Sequence, residues 1–320
     1  MIHVQNLKKI YRTTIKNKNP LKNFFNRQYK ENIALDGISF DIGNNELIGF
    51  IGPNGAGKTT TMKILAGILY PTSGEVSVLG FTPFEKNPEF LKQIAFVMGQ
   101  KNQLLWELPA TDTYKLNKEI YEISDKEYNK TVGELSELLK VEDFIHQPVK
   151  TLSLGQRMRL ELIGALIHNP KVLFLDEPTI GLDIFAQTTI VNFIKEYQER
   201  YDSTIILTSH YMQDVQRLAK RVILIDHGGI IYDGKLQTLV NKYSITKTVT
   251  IVLSKKVDPK TLKFPKNVTY EYMYPQLKIN VPKDAIENLL QTILKQIEYD
   301  DMTIENEPLE EIVKKSFTEK

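Results

Sequence analysis

The sequence predicts an α/β fold, with a parallel β-sheet covered by helices and a smaller α+β unit after it. In the second half of the chain, short β-rich runs alternate with helical stretches, as in parallel sheets. These runs are Val172–Leu175, Thr204–Thr208 and Val222–Ile225. Earlier, the apolar run Leu47–Ile51 meets a glycine-rich turn, and helical spacing begins at Thr59. After about Lys242 the pattern changes to strand-like runs and an amphipathic helix, which indicates a second unit.

Length and composition fit an ordinary globular protein and exclude several other classes. The 320 residues are enough for one large domain and one smaller domain. A formal net charge of +2 gives no overall field that would favour nucleic acid. The absence of cysteine excludes a disulfide framework and a thiolate metal site. No apolar run approaches the roughly 20 residues that span a bilayer, so we expect no transmembrane helix.

The N-terminal part predicts two strands with a basic loop between them. Ile2–Val4 and Ile38–Ile42 have the apolar pattern of strands. Between them, Arg12–Lys30 contains six basic residues and no acidic residue. This segment is predicted to be a loop, either solvated or in contact with anionic lipid headgroups.

The middle of the chain predicts helices, and the end predicts a small mixed unit. From about Thr111 to Ile167, apolar residues recur at helical spacing. The C-terminal part predicts three strands, an amphipathic helix, a short strand and a last helix, at Thr248–Leu253, Val268–Tyr272, Leu277–Val281, Ile286–Ile297, Met302–Ile304 and Leu309–Phe317. We therefore predict one domain over residues 1–242, with a helical subdomain at about 101–167, and an accessory α+β domain over residues 243–320.

The glycine-rich turn fits the phosphate-binding pattern G-x-x-x-x-G-K-[ST]. It consists of Gly52, Pro53, Asn54, Gly55, Ala56, Gly57, Lys58 and Thr59, and Thr60 follows in the predicted helix. Glycines allow successive backbone N–H groups to point at phosphate oxygens, and the helix adds its positive N-terminal end. Lys58 is predicted to neutralise phosphate charge, and the Thr59 hydroxyl to bind Mg²⁺. The alternative is a strand-helix turn without a ligand.

A second site lies at the end of the strand Val172–Leu175, where Asp176 and Glu177 follow. Ligands of open α/β sheets bind at the carboxyl ends of strands. Asp176 is therefore predicted to reach Mg²⁺, and Glu177 to orient and deprotonate an attacking water molecule. The alternative for these two carboxylates is a solvated acidic turn.

Between these sites, the run Thr151–Arg157 resembles the signature motif of ABC ATPases, usually Leu-Ser-Gly-Gly-Gln. Further residues match the family in its order. Gln100 resembles its Q-loop glutamine, Gly181-Leu182-Asp183 its D-loop, His210 its switch histidine and Tyr11 its adenine-stacking aromatic. The resemblance covers about Ile2 to Gly234. It implies a P-loop NTPase core with an N-terminal antiparallel β subdomain and a helical signature subdomain.

The resemblance also implies a mechanism that needs two nucleotide-binding subunits. Each ATP, with Mg²⁺, would lie between the phosphate loop of one copy and the signature of another. Residues expected to contact nucleotide from the signature side are Ser153, Gly155, Gln156 and Asp183. His210 would hold the γ-phosphate and the water as hydrolysis begins, and Gln100 would act as a catalytic residue and a Mg²⁺ ligand. The implied partners are a multi-spanning permease and a second motor subunit, identical or related, at the cytoplasmic face of the membrane.

Three features bear on details. Leu154 stands where the family usually has glycine, which questions the fine geometry of the signature. Trp106 follows Gln100 in a region that, in ABC proteins, meets the membrane subunit, so it is either an interface anchor or locally packed. The stretch Thr179–Asp183 and the C-terminal tail resemble ABC-2-type export ATPases, which implies export.

A second function class is a non-transport ABC ATPase acting in translation, DNA repair or cofactor assembly. Translation factors usually carry two such domains in a chain, and repair ATPases insert a long coiled coil before the signature. Here the interval from Lys58 to Ser153 is only 95 residues. Cofactor-assembly ATPases stay open. A nucleotide-binding subunit without turnover is disfavoured, because Lys58, Asp176, Glu177 and His210 are all present.

Overall fold

The computed structural model describes the chain except residues 16–27, 100, 210, 244–245 and 319–320. The described residues form two compact units, Met1–Gly234 and Lys235–Lys320. The division falls eight residues before the predicted boundary at residue 242. The helix Leu236–Tyr243 packs against the last helix of the chain and therefore groups with the second unit.

The first unit contains strands β1 to β9 and helices α1 to α7. The strands are β1 Ile2–Ile15, β2 Gln28–Ile42, β3 Leu47–Ile51, β4 Ser73–Val78, β5 Ile94–Met98, β6 Val172–Asp176, β7 Thr204–Thr208, β8 Arg221–Asp226 and β9 Gly229–Lys235. The helices are α1 Lys58–Leu65, α2 Pro88–Leu91, α3 Ala110–Ile120, α4 Asp125–Leu139, α5 Leu154–Leu166, α6 Ile184–Tyr201 and α7 Met212–Leu218.

A three-stranded antiparallel sheet, in the order β2-β1-β4, confirms the N-terminal β subdomain. Strands β1 and β2 are much longer than predicted, and the predicted loop Arg12–Lys30 is wrong at both ends. Arg12 pairs with Glu31 across the ladder, and their side chains form a 2.9 Å ion pair. This part of the hairpin is exposed, so it lacks the apolar alternation that marks a half-buried strand. The remainder of that predicted loop lies outside the described residues.

A six-stranded sheet in the order β5-β6-β7-β3-β8-β9 forms the centre of the first unit. Strands β5, β6, β7, β3 and β8 are parallel. The sequence predicts a parallel sheet from the runs that form β6, β7 and β8, and β5 was not among these runs. Apolar clusters cover both of its faces, one built with α5 and α6 and the other with α1 and the N-terminal sheet. Because β7 lies between β6 and β3, the carboxyl ends of these three strands meet at one edge.

Helices α3, α4 and α5 occupy the region that the sequence predicts as helical, and both α3 and α4 pack against α5. Their contacts bury Tyr114 and Leu135 completely. The Tyr114 hydroxyl donates a 2.8 Å hydrogen bond to the carbonyl of Leu160. Helix α5 is therefore held against α3 at its centre.

The second unit is an antiparallel sheet with helices. Its elements are α8 Leu236–Tyr243, β10 Thr246–Leu253, β11 Thr269–Met273, β12 Gln276–Pro282, α9 Ile286–Ile293, β13 Tyr299–Asn306 and α10 Leu309–Thr318. The strand order is β11-β12-β10-β13, and α9 packs against one face through Leu289 and Ile293. Helix α9 ends at Ile293, four residues before the predicted end. Among the described residues, we find no helix with the length and apolar character to span a membrane.

Candidate functional site

The glycine-rich loop between β3 and α1 has a backbone that only glycine fits at two positions. A Cβ atom on Gly52 would lie 2.1 Å from the Ile225 carbonyl oxygen. Gly57 has φ +113°, and its Cβ would lie 2.7 Å from the Ala34 carbonyl oxygen. The loop is thus pressed against β8 and β2. These glycines allow the tight turn in which successive backbone N–H groups can bind a compact anionic group.

Lys58 lies at the first position of α1 and is 6% exposed. Its Nζ donates hydrogen bonds to the carbonyl oxygens of Gly52, at 2.7 Å, and Pro53, at 3.1 Å. Burial lowers the pKa of the ammonium group, while the charges of Glu177 and Asp176 act in the opposite direction. The lysine charge is therefore directed into the turn of its own loop.

The carboxylate of Asp176, at the end of β6, connects this strand with the end of β7 and the start of α1. Thr59 at the start of α1 donates to it, with Oγ1 2.9 Å from Oδ2. Thr208 at the end of β7 donates to Oδ1 at 2.8 Å. A hydroxyl and a carboxylate in contact are oxygen ligands of the type that Mg²⁺ prefers.

Glu177 follows Asp176 in a left-handed backbone conformation, with φ +56°. This conformation is uncommon for a residue with a side chain and marks a constrained turn. Its N–H group donates to the Thr208 hydroxyl at 3.0 Å. A Cβ on Gly99, at the end of β5, would lie 2.0 Å from the Glu177 carbonyl oxygen. The backbone of Glu177 is thus fixed from both neighbouring strands.

These elements enclose a cleft of about 230 Å³. Its lining contains Tyr11 from β1, Asn32 and Ala34 from β2, the loop residues Asn54, Gly55, Gly57, Lys58, Thr59 and Thr60, and Glu177. Tyr11 is 38% exposed, and Asn32 is its partner across the β1–β2 ladder. The cleft therefore has a flat aromatic ring at one side and the lysine and carboxylate at another, which suits a nucleotide.

The signature segment lies at the start of α5. The Ser153 side chain caps the helix, accepting from Gln156 N at 3.2 Å, while Gln156 Oε1 accepts from Ser153 N at 2.9 Å. This reciprocal capping box fixes the helix start. A Cβ on Gly155 would lie 2.6 Å from Cβ of Ala186, so α5 and α6 approach too closely for a side chain there.

Leu154 is the first residue of α5 and is absent from the positive-φ positions of the described chain. The backbone at this position therefore does not need glycine. Its Cδ2 lies 3.3 Å from where a Cβ on Gly181 would stand. The leucine is thus directed to the D-loop segment.

A second cleft, of about 400 Å³, is lined by signature and D-loop residues. These are Ser153, Gly155, Gln156, Arg159, Asp183, Phe185, Ala186 and Thr189. Asp183 caps α6, with its Oδ1 accepting from the N–H groups of Phe185, at 3.0 Å, and Ala186, at 2.9 Å. The two clefts share no lining residue. Within one chain, the predicted phosphate and signature residues are therefore separate.

Two predicted site residues, Gln100 and His210, lie outside the described residues, and their roles stay predictions. Trp106 is 46% exposed, and the guanidinium of Arg157 lies 5.5 Å from the centre of its ring. The backbone carbonyl of Trp106 accepts a 3.0 Å hydrogen bond from Lys150 N. Both sequence interpretations of Trp106 are thus compatible with a ring that is packed on one side and open on the other.

Sequence reasoning missed Thr208 and Asn32. Thr208 lies two residues before the predicted switch histidine, at a strand end, and that position was the available signal. Asn32 lies in the segment whose strand character was not recognised up to Ile38. Its position opposite Tyr11 depends on the β1–β2 register, which the sequence pattern does not specify.

The fold and the glycine-lined cleft define a P-loop nucleotide-binding protein. The profile of the family described as "ABC transporter" matches residues 35–180. The chain is 34% identical over 214 residues to the Nod factor export ATP-binding protein I of Burkholderia thailandensis, covering 67% of this chain and 70% of that protein. It is 35% identical over 206 residues to the energy-coupling factor transporter ATP-binding protein EcfA2 of Clostridioides difficile, covering 63% and 72%.

Among solved structures, a dimeric post-hydrolysis state of the ATP-binding cassette MJ0796, bound to ADP and Pi, is similar in fold. The TM-score is 0.62 at 24% identity, and the match covers 74% of this chain and 99% of that chain. The chain therefore belongs to the ABC transporter ATP-binding family.

ATP and Mg²⁺ are the ligands that this family implies, and the cleft residues fit them. Gly52 and Gly57 let the loop pack tightly against β8 and β2, and Lys58 supplies a buried positive charge inside the turn. Thr59 and Asp176, which are hydrogen-bonded to each other, would supply two oxygen groups for Mg²⁺. When Mg²⁺ has one or two protein ligands, phosphate oxygens and water take its other positions.

Proposed function

We propose that this chain binds and hydrolyses ATP as the motor subunit of an ABC transporter and drives a separate membrane permease, in the direction of export. The observation that carries the proposal is the single cleft lined by Tyr11, Lys58, Thr59 and Glu177, with Asp176 bonded to Thr59. A charged loop, a metal-binding pair and a carboxylate base are the components of P-loop phosphoryl transfer.

In the proposed reaction, Lys58 neutralises the β- and γ-phosphates, and Thr59 and Asp176 hold Mg²⁺. Glu177 accepts a proton from the attacking water molecule, which lies on the side of the γ-phosphate away from the leaving group. Its fixed backbone limits the positions that its carboxylate can reach. Gln100 is proposed to contact Mg²⁺ and this water, and His210 the γ-phosphate.

A second subunit is proposed to complete the site. Ser153, Gly155, Gln156 and Asp183 contact nucleotide in the partner subunit's cleft, because they line a different cleft from Lys58 within one chain. The positive N-terminal end of α5 favours phosphate at this position. The printed description of the MJ0796 structure as a dimer supports this arrangement.

The substitution Glu177→Gln tests the reaction. It keeps the size of the side chain but removes the base, so we expect hydrolysis to slow by about 10²- to 10⁴-fold. ATP affinity, measured with a fluorescent analogue, should stay within about threefold, and an ATP-dependent dimer should accumulate in gel filtration. Glu199→Gln, at an exposed position of α6, is the matched control. Wild-type turnover by Glu177→Gln would refute the assignment of the base.

The membrane partner is tested by affinity purification from detergent-solubilised membranes. We expect a multi-spanning protein of about six helices to be recovered, the kind of partner that the resemblance to ABC-2-type ATPases implies. The surface formed by Leu105, Trp106 and Leu108, each more than 40% exposed, is the proposed contact. Recovery of ribosomes or of a cofactor-assembly scaffold would favour a non-transport ABC ATPase.

Export is supported by the resemblance to ABC-2-type ATPases and by the printed name of the Nod factor export relative. The EcfA2 relative has similar identity and a name that states no direction, so identity alone does not decide it. In vesicles that contain the recovered permease with this chain outside, Mg-ATP should drive cargo into the lumen. ATP-dependent release of preloaded cargo would contradict export.

A further inference from the structure

Glu161 is a buried carboxylate on the signature helix that the proposed reaction does not use. It lies on α5, two helical turns after Ser153, and is 3% exposed. Its Oε1 accepts from the N–H groups of Gln103, at 2.8 Å, and Leu104, at 3.3 Å. Buried carboxylates are rare unless they are paired with a charge, so a buried carboxylate whose hydrogen bonds to the described residues come from backbone N–H groups needs an explanation.

The two N–H groups belong to the stretch that follows Gln100, which we name the linking segment, residues 101–109. Further contacts hold the later part of this segment to the residues before α5. The carbonyl of Trp106 accepts from Lys150 N at 3.0 Å, and that of Leu108 from Val149 N at 3.1 Å. Glu161 thus holds the beginning of the linking segment, three residues after the predicted Q-loop glutamine, to the helix that starts at the signature.

A cavity of about 380 Å³ lies beside this contact, lined by Glu161, Gln103 and Leu104 together with residues of β5, α3 and the end of α1. Displacement of the linking segment would remove the N–H groups of Gln103 and Leu104 from Glu161 and widen the access of its carboxylate to this space. The carboxylate would then be hydrated, and the cost of its burial would disappear. Ionisation of Glu161 therefore costs more free energy in the closed form, in which the linking segment contacts its carboxylate, than in an open form, in which this contact is broken.

Burial raises the pKa of Glu161 to about 7, and the two backbone hydrogen bonds and the charge of Arg157 only partly oppose this effect. The other titratable groups facing the cavity are Tyr121 and His168, whose rings stack at 3.9 Å, and Tyr114 lies close by on α3. Burial raises the pKa of both tyrosines and lowers that of His168, so all three are neutral at pH 7. Within the described lining, Glu161 is the group whose pKa lies near 7. His168 gains charge only below its ordinary pKa of 6.5, and a Glu161→Gln chain, which keeps His168, separates the two titrations.

We propose that Glu161 is a positioning residue that holds the start of the linking segment to the signature helix while its carboxyl group is protonated and releases it on ionisation. The sign follows from linkage: a carboxyl group whose pKa is raised in the closed form stabilises that form below its ordinary pKa. This stabilisation is lost as the pH rises to about 7. The effect of Glu161 on turnover rests on the proposed function. It would act through Ser153, which caps the N-terminal end of the helix that contains Glu161 and is proposed to contact nucleotide.

Amide hydrogen exchange of the full chain tests the contact without any substitution. Protection of the Gln103 and Leu104 amides, relative to their intrinsic exchange rates, should fall more than about tenfold between pH 5 and pH 7.5 and then level off. In Glu161→Gln the neutral amide keeps an acceptor oxygen, so protection should vary little with pH. Amides of β6, such as Leu173 and Leu175, serve as the reference for global opening. Protection at Gln103 that does not change with pH in the wild-type chain overturns the proposal.

A second readout separates positioning from a purely structural role. The ratio of kcat between the wild-type chain and Glu161→Gln should change several-fold from pH 5 to pH 7.5, while ATP affinity of the two chains stays equal. A constant kcat ratio would leave Glu161 without a role in turnover and overturn that part. If the wild-type chain does not hydrolyse ATP, the proposed function is wrong. The exchange measurement at Gln103 does not depend on hydrolysis, so it still tests the contact with Glu161.

Discussion

At the scale of single residues, the carboxylate of Asp176 accepts hydrogen bonds from two threonine hydroxyls on different elements. Thr59 belongs to the phosphate loop, whereas Thr208 belongs to the strand that leads to the predicted switch histidine. Thr208 also accepts from Glu177 N. One hydroxyl group therefore orients both acidic residues of the site.

The substitution Thr208→Val removes this hydroxyl but keeps the shape and the strand propensity of the side chain. We expect the free energy of unfolding to fall by about 1–2 kcal/mol, because Asp176 loses a partner that water replaces incompletely. We also expect kcat to fall roughly tenfold, since Glu177 is less well oriented. Urea denaturation and Mg²⁺-dependent ATPase assays measure the two effects. Thr303→Val, on exposed β13, is the control, and an equal loss of activity there would refute the role of Thr208.

The residue scale also shows what the sequence could specify. The spacing of the phosphate loop and the acidic strand end predicts Lys58, Thr59, Asp176 and Glu177 as site residues, because that chemistry requires those residue types at fixed positions. The structure brings these four residues close together. Thr208 and Glu161 act through contacts made across the fold. The one sequence signal for Thr208 is its position at a strand end, two residues before the predicted switch histidine, and nothing near Glu161 distinguishes it from other polar residues of a helix.

At the scale of elements, the close approach of α5 and α6 fixes the signature. It depends on Gly155, whose position leaves no room for a side chain against Ala186. By contrast, Gly133 in the exposed part of α4 has no atom within 4 Å of its Cβ position. The same substitution at these two glycines should therefore have opposite effects.

For Gly155→Ala, we expect the helix starts to separate, with a loss of about 1–3 kcal/mol of stability and a much lower kcat. ATP binding to the other cleft should be unchanged, because that cleft lacks Gly155. Gly133→Ala should stabilise the chain by about 0.5–1 kcal/mol through helix propensity, with unchanged turnover. Thermal unfolding and ATPase assays of both variants check this. A Gly155→Ala chain with wild-type kcat would contradict the importance of this contact.

Element prediction from the sequence succeeded where burial gives a pattern. The parallel strands β6, β7 and β8 are covered on both faces, so they appear as continuous apolar runs. The prediction of a loop at the outer half of the β1–β2 hairpin was wrong. This half is stabilised by backbone pairing and exposed ion pairs rather than by an apolar face, so it leaves no apolar pattern in the sequence. The helix predicted over Ile286–Ile297 has the correct position but is four residues longer than α9, because the apolar spacing continues into the turn that follows α9.

At the scale of the whole molecule, the two clefts of one chain each carry half of the proposed site. Two different variants should then repair one another. A Lys58→Ala chain has a defective phosphate loop but an intact signature, and a Ser153→Ala chain has the reverse. Each alone should be inactive, because every copy of its dimer lacks one half.

Mixing the two inactive chains should restore ATPase activity, and this is the outcome that separate clefts require. Random pairing makes about half of the dimers mixed, and each mixed dimer contains one complete site of two. Activity should therefore reach about a quarter of the wild-type value, measured at equal total chain concentration. No recovery on mixing would mean that each chain completes its own site or that one complete site is not enough for turnover.

The backbone of Glu177 has a consequence for how this protein tolerates change. Glu177, in its left-handed conformation, lies between Gly99 and Thr208 and restricts which residues the neighbouring strands can carry. Any side chain at Gly99 would collide with the Glu177 carbonyl oxygen. Drift in sequence at this edge of the sheet is thus confined to side chains that face away from the junction. When a library of random substitutions is selected for retained turnover, almost no substitution should be recovered at Gly99. Most residues should be recovered at Lys101, which is nearby and exposed.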